Sequence, residues 1–307
     1  MLISFSFRRG WERNLVQYTK CSESWNVSKQ NKIIHYKMVT LLLIAPGLLA
    51  FATLFLYPML ITLTTSFQTR DSSNFTFNNY LDFLTKSEGW NILGLSFFLA
   101  IIPTIIIIFI SIPLALLLRK KITGFKFYRT LIVLPLMIPS LISTLGLLLF
   151  YNTNGWFNLF IIKLLPFVNE PAKINYTIHG LMIFYVWLYF PYTAISITSA
   201  IEGLDKGIEE AGSVCGASPM QVFWKIILPL IKPGIMSGSI MTFLLAFGSF
   251  SVPLLAGGDY RPIAVQIYTT TAVFHNWPKG SALAVIMSVI QVIFLTIYMR
   301  LNRRRNT

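Results

Sequence analysis

Six stretches of the chain, at about residues 39–63, 93–118, 130–150, 178–200, 235–256 and 281–299, are predominantly apolar and hold no Asp, Glu, Lys or Arg. A bilayer core is roughly 30 Å thick and takes about 20 residues to cross as a helix, which satisfies its own backbone hydrogen bonds in hydrocarbon. The pattern therefore predicts an all-α, polytopic membrane protein with six transmembrane helices. Residues 38–307 read as one transmembrane domain and residues 1–37 as a polar, basic tail. Between the fourth and fifth runs the pattern changes: residues 201–232 are punctuated by carboxylates, glycines and prolines. Burying the charges of Glu202, Asp205, Glu209 and Glu210 in lipid would cost about 3 kcal/mol each. This loop must meet water or another protein.

The loop has a local grammar of its own. Leu204, Ile208, Ala211 and Cys215 recur on one helical face, with Glu202, Asp205 and Glu209 opposite, which predicts a short amphipathic helix. Gly216 suits the left-handed position that closes it. Ser218 as N-cap, Pro219 at the first helical position and Gln221 completing a capping box then open a second helix. Val222, Phe223, Ile226 and Ile227 form its apolar face, and Pro229 and Pro233 are expected to interrupt it. Two readings fit the pair: a knob that docks on another protein, or a hairpin lying on the bilayer surface.

Composition agrees with the pattern. Of 307 residues, 55% are hydrophobic and 12% charged, outside the range of an ordinary soluble domain. The net charge of +14 sits beside apolar runs rather than in a basic, aromatic-rich patch, which points to topology and away from nucleic acid. Seven Lys and Arg precede the first run, five (Arg119, Lys120, Lys121, Lys126, Arg129) join the second to the third, three (Lys206, Lys225, Lys232) join the fourth to the fifth, and four follow the sixth. Each of the other three connections holds two. By the positive-inside rule both termini and residues 201–232 are expected to be cytoplasmic, with the protein in the cell inner or plasma membrane. Trp90, Trp156 and Trp277 then fall at the outer ends of their spans, where interfacial aromatics belong. No cleavable leader pattern opens the chain, so the first span is expected to act as its own insertion signal. Residues 1–37 read as an amphipathic surface segment on lipid or as disorder, and their composition favours disorder. Cys21 and Cys215 are expected to be ordinary thiols.

Several chemistries are excluded. No Gly-Lys dipeptide occurs, so the chain has no phosphate-cradling loop for ATP. His35, His179 and His275 stand apart from other ligands, which leaves no metal site, and no serine or threonine sits with a histidine and an acid as a nucleophile would. No internal repeat and no ionisable residue at mid-membrane supports a stand-alone secondary transporter. A non-transporting membrane anchor or assembly subunit is a further alternative. Prolines recur within the runs, at Pro46, Pro58, Pro103, Pro113, Pro135, Pro139, Pro191 and Pro253. They read as tolerated kinks, or at Pro135, Pro139 and Pro253 as shaping a path between helices.

Glu210-Ala211-Gly212, three residues, Gly216, nine residues, then Ile226-x-Leu228-Pro229 resembles the EAA motif in permease subunits of bacterial ABC importers. The departure is Gly212, where that family most often carries a second alanine. The resemblance covers the chain from about residue 39 to its end and implies a type I importer permease fold, with the loop as a cytoplasmic coupling-helix region seated on a cytosolic ATPase. Glu209, Glu210, Ala211, Gly212, Gly216, Ala217, Ser218, Pro219, Phe223, Leu228 and Pro229 would then make or shape that contact. It further implies that the chain is not an enzyme and carries no cofactor, the ATP being bound by a partner ABC ATPase dimer. Other implied partners are a second permease, an extracytoplasmic solute-binding protein and membrane lipid. Residues 249–258 (SFSVPLLAGG) and 274–285 (FHNWPKGSALAV) are similar to permeases of spermidine/putrescine importers, a wording shared with relatives that handle ferric iron, phosphonates or opines. Tyr185, Trp187, Tyr189 and Tyr192 are candidate cation–π partners for a polyamine, or packing residues.

Overall fold

The computed structural model describes residue 38 and residues 40–70, 74–119, 124–165 and 170–303; the tail 1–37 lies outside them. Two compact units divide at Ile61/Thr62. The first contains most of α1 (Thr40–Thr65), an apolar helix of 26 residues. Within it Ala52–Leu56 form a π-turn, closed by the Tyr57 N–H donating to the Ala52 carbonyl. Pro58 follows two residues after that turn. A proline ring crowds the carbonyl four residues back and offers no N–H, and one wide turn moves that carbonyl aside while the helix continues.

The second unit holds α2 (Asn78–Thr85), α3 (Ser87–Arg119), α4 (Phe125–Met137), α5 (Ser140–Phe150), α6 (Trp156–Leu164), α7 (Ile178–Glu202), α8 (Lys206–Val214), α9 (Pro219–Phe247), α10 (Ser251–Ala256), α11 (Ile263–Val273) and α12 (Trp277–Arg303). The fold is all-α, with one isolated antiparallel bridge, Gln68 to Phe75, among the described residues. By length and composition α1, α3, α7, α9 and α12 can each cross a bilayer, and α4 with α5 makes a sixth crossing, bent by 106°.

Helix α7 is central to the second unit and packs on α3 and α9. Between membrane helices there is no hydrophobic drive comparable to that in water, so close approach and interhelical hydrogen bonds carry the association. The α7–α9 seam has both. Gly234 and Gly238 lie against Ala200, Ser196 and Thr193, so close that a Cβ on Gly238 would stand 2.8 Å from the Thr193 Cα. The hydroxyls of Thr193 and Thr242 share a hydrogen bond of 2.7 Å, as do those of Ser196 and Ser237, and Ser196 Oγ is 2.8 Å from the Gly234 carbonyl it donates to. Farther along, Phe97, Phe243, Phe247 and Phe294 pack ring on ring and draw α3, α9 and α12 together.

Two expected spans differ in detail. The third run is not one straight helix: Ile138 and Pro139 are extended, and α5 starts anew at Ser140. The expected fifth run at 235–256 is the latter part of a longer arrangement, in which α9 begins at Pro219, stops at Phe247 and is followed after a three-residue break by α10. Ser251 Oγ, at the start of α10, donates to Ser140 Oγ at 2.9 Å, so the two breaks face each other. Pro229 and Pro233, expected to interrupt the second loop helix, do not. A π-turn at Phe223–Ile227, closed by the Leu228 N–H on the Phe223 carbonyl, precedes Pro229 as the corresponding turn in α1 precedes Pro58.

Candidate functional site

The polar loop folds as a helical hairpin, residues 205–229. Asp205 caps α8, its Oδ1 accepting from the Gly207 N–H at 3.0 Å. At the other end Gly216 has φ +80°. Its N–H donates to the Ser213 carbonyl at 3.0 Å and the Ala217 N–H to the Gly212 carbonyl at 3.1 Å. This paired closure is the Schellman arrangement, which requires a left-handed residue where Gly216 stands. The next helix opens at once: Ser218 Oγ accepts from the Gln221 N–H, and Gln221 Oε1 accepts from the Ser218 N–H at 2.8 Å, a complete capping box with Pro219 in the first turn. Gly212 faces α9, where an added Cβ would lie 3.0 Å from Ile226 Cδ1 and 3.3 Å from Val222 Cγ2. Ile226 Cδ1 is the tip of a flexible side chain, whereas buried Val222 is stiff, so an alanine there needs both to give by a few tenths of an ångström.

The hairpin has an inward and an outward side. Val222 and Ile227 are buried with Ile197, Ile201, Ile231 and Ala115, and Leu204, Ala217, Phe223, Ile226 and Leu228 pack against that cluster. Phe223 and Leu228 therefore orient the second helix. Glu210, Ala211, Gly216, Ser218, Pro219 and Pro229 are exposed, and so is the free thiol Cys215. Beside them Val214 is 88% exposed, Met220 64% and Trp224 56%. These three residues escaped the sequence reasoning. The expected apolar stripe of α8 is corrected by the structure: Leu204 packs inward, but Ile208 is 40% exposed and Ala211 and Cys215 are exposed, because Glu209, expected on the far side, turns to Arg119. Three large apolar side chains exposed within a short polar hairpin are more than a solvated surface calls for.

Glu209 behaves differently from its neighbour Glu210. Its Oε1 lies 2.6 Å from Arg119 Nη1, at the end of α3. The same guanidinium donates through Nη2 to the Leu204 carbonyl at 3.1 Å. Arg119 and Glu209 border a groove of about 480 Å³ that Leu116, Glu210, Pro219 and Phe223 also line.

The four candidate aromatics separate as well. Tyr185 is buried in the main apolar cluster and meets Tyr189 edge to face at 5.6 Å. Trp187 is exposed and Tyr192 half-buried. Packing accounts for Tyr185, and Trp187 faces away from it. Among the described residues no three of His, Cys, Asp and Glu come together as a metal site would need. The geometry is that of a helical hairpin capped at both turns, with one side packed on the membrane domain and the other exposed.

Comparison with known proteins bears on that element. The model of the family described as binding-protein-dependent transport system inner membrane component matches residues 107–307. The chain is 33% identical over 287 residues to the spermidine/putrescine transport system permease protein PotB of Haemophilus influenzae, covering 90% of this chain and 98% of that protein. It is 32% identical to the PotB of Salmonella typhimurium over 81% of this chain and 88% of the relative. Among solved structures, a bacterial ABC transporter involved in the import of the acidic polysaccharide alginate superposes with a TM-score of 0.76 at 17% identity, over 89% of this chain and 98% of that one, a likeness of fold.

Proposed function

Since the chain belongs to the family of binding-protein-dependent transport system inner membrane components, it is an importer permease with ATP hydrolysis in a partner subunit, and we propose that it carries polyamines and that residues 205–229 are where the partner ATPase docks. The observation that supports the substrate is 33% identity to a spermidine/putrescine permease over 90% of the chain. The observation that supports the docking role is the two-sided hairpin, outward through Glu210, Ala211, Gly216, Ser218, Pro219 and Pro229 and held from within by Gly212, Ala217, Phe223 and Leu228.

In this reading a second, similar permease completes the pathway, a solute-binding protein delivers substrate from outside, and two ATPases close on ATP. Their closure draws the hairpins together and biases the membrane domain towards its outward-open state; hydrolysis resets it. The spans contribute no carboxylate, so selection among cations belongs to the binding protein, and the membrane path needs only to pass what is delivered.

Reconstituted in proteoliposomes with its ATPase, second permease and binding protein, the chain is expected to support ATP-dependent uptake of labelled spermidine, competed by putrescine. Uptake of ferric iron, a phosphonate or an opine with no uptake of spermidine would overturn the substrate. Topology has its own check. With Cys21 replaced by serine, a membrane-impermeant maleimide is expected to label Cys215 in inside-out vesicles and not in intact cells. Labelling in intact cells would place the hairpin on the wrong side for an ATPase.

A further inference from the structure

Arg119 ends α3, and its side chain is only 9% exposed. One nitrogen meets Glu209 on α8 at 2.6 Å and another meets the Leu204 carbonyl, just beyond the end of α7, at 3.1 Å. A single guanidinium thus joins the last turn of α3, the exit of α7 and the first helix of the hairpin. Its planar head suits that task, since one nitrogen donates to the Leu204 carbonyl while another stands in an ion pair with Glu209. A second ion pair repeats the arrangement in looser form: Arg129 on α4 reaches Glu202 at the end of α7 at 3.6 Å, with side chains 56% and 33% exposed. Both arginines come from the connection between the second and third crossings, and both carboxylates from the one between the fourth and fifth.

The two pairs are not equal in weight. An exposed pair is screened and contributes little; in the tighter pair Glu209 is 35% exposed, but the Arg119 side chain at 9% is much less so, and separating the pair leaves that guanidinium short of a partner in a poorly hydrated place. Apart from this pair, α8 packs on the first turns of α9. The α8 helix cannot swing away from α3 without leaving Arg119 uncompensated. Glu210, the next residue, is exposed at the rim of the same groove.

We infer that Arg119 is a positioning residue that ties α8 to the end of α3, so that displacement of the hairpin by the ATPase is passed to α3 together with α7 and α9. The inference rests on the docking role of the hairpin and adds to it a division of labour: outward residues hold the ATPase, and the Arg119–Glu209 pair carries its motion inward. Removing the pair leaves docking in place and transmission lost.

In the reconstituted complex, Arg119→Gln is expected to retain the ATPase at wild-type stoichiometry while spermidine transport falls about tenfold and the ATP hydrolysed per substrate moved rises, the size of an ordinary coupling between sites. Arg119→Lys keeps the charge without the fork and is expected to recover part of the transport. Should Arg119→Gln fail to yield a folded membrane domain, Arg119→Met, which keeps the apolar stem and leaves only the part-exposed Glu209 unpaired, carries the same expectation of an assembled but uncoupled transporter. Transport within about twofold of wild type in R119Q or R119M, or loss of the ATPase from a folded R119Q or R119M membrane domain, overturns the inference. A wild-type chain that holds no ATPase overturns the docking role itself, and this inference with it.

Discussion

Gly238→Leu is expected to leave no folded membrane domain. At this position α9 crosses α7 with backbone against backbone: the first added carbon would already stand 2.8 Å from the Thr193 Cα and 3.0 Å from the Ser196 Cβ. Neither of those atoms is the tip of a flexible chain, so the helices themselves must part. Overpacking of this kind costs about 1–3 kcal/mol even where side chains can yield. Here parting the helices also breaks the Thr193–Thr242 and Ser196–Ser237 hydrogen bonds on either side of the glycine. Fluorescence-detected gel filtration of the detergent-solubilised protein, with a thermal ramp, is the measurement; the variant should aggregate or lose its cooperative transition. Gly94→Ala in α3 is the control, because a Cβ there meets nothing within 4 Å, and it should match or slightly exceed wild type. A Gly238→Leu protein with an unchanged transition would show that the α7–α9 seam is not as tight as its geometry states.

The second large effect belongs to Gly216→Val. The residue sits at φ +80° with open space around the missing Cβ, so the difficulty is conformational rather than steric contact with neighbours. A left-handed conformation costs an L-residue about 1–2 kcal/mol, and a β-branched side chain is the worst placed to adopt it. Valine would force the turn out of the Schellman geometry and misalign α8 with the Ser218 cap that follows two residues later. Transport and ATPase co-purification are expected to fall about tenfold or more, with the thermal transition of the membrane domain little changed. Gly216→Asn, which tolerates the left-handed region, should recover most of the loss. If valine and asparagine behave alike, the turn is not what sets the hairpin.

These expectations show which parts of the structure can be read along the chain and which cannot. The hairpin was legible because its signals are local: the Ser218–Gln221 box, Pro219 and Gly216 each act within a few residues, and each is found in the expected role. The apolar runs were legible for the same reason. The bend at Ile138–Pro139 was not. Pro103 and Pro113 lie within a 33-residue helix that continues through them, so a proline in an apolar run does not by itself announce a break. What distinguishes Pro139 is tertiary, the meeting of Ser140 with Ser251 across 111 residues of chain. Pro229 misled in the opposite direction, because the wide turn that accommodates it is a backbone adjustment with no residue type of its own. Arg119 was counted only as a charge that sets topology. Its partner Glu209 is on the far side of two crossings, and no spacing rule links them.

The wide turn before Pro229 has a mechanical consequence. Because it spares α9 from breaking, 29 residues from Pro219 to Phe247 form one continuous helix. At about 1.5 Å per residue that is a lever roughly 43 Å long, and a tilt of about 5° at the hairpin end sweeps the opposite tip through roughly 4 Å. That tip lies at the break before α10, beside the bend of the third crossing, so a modest push on the loop arrives amplified where the helices are already discontinuous. A proline that snapped the helix at residue 229 would have left the push with nowhere to go.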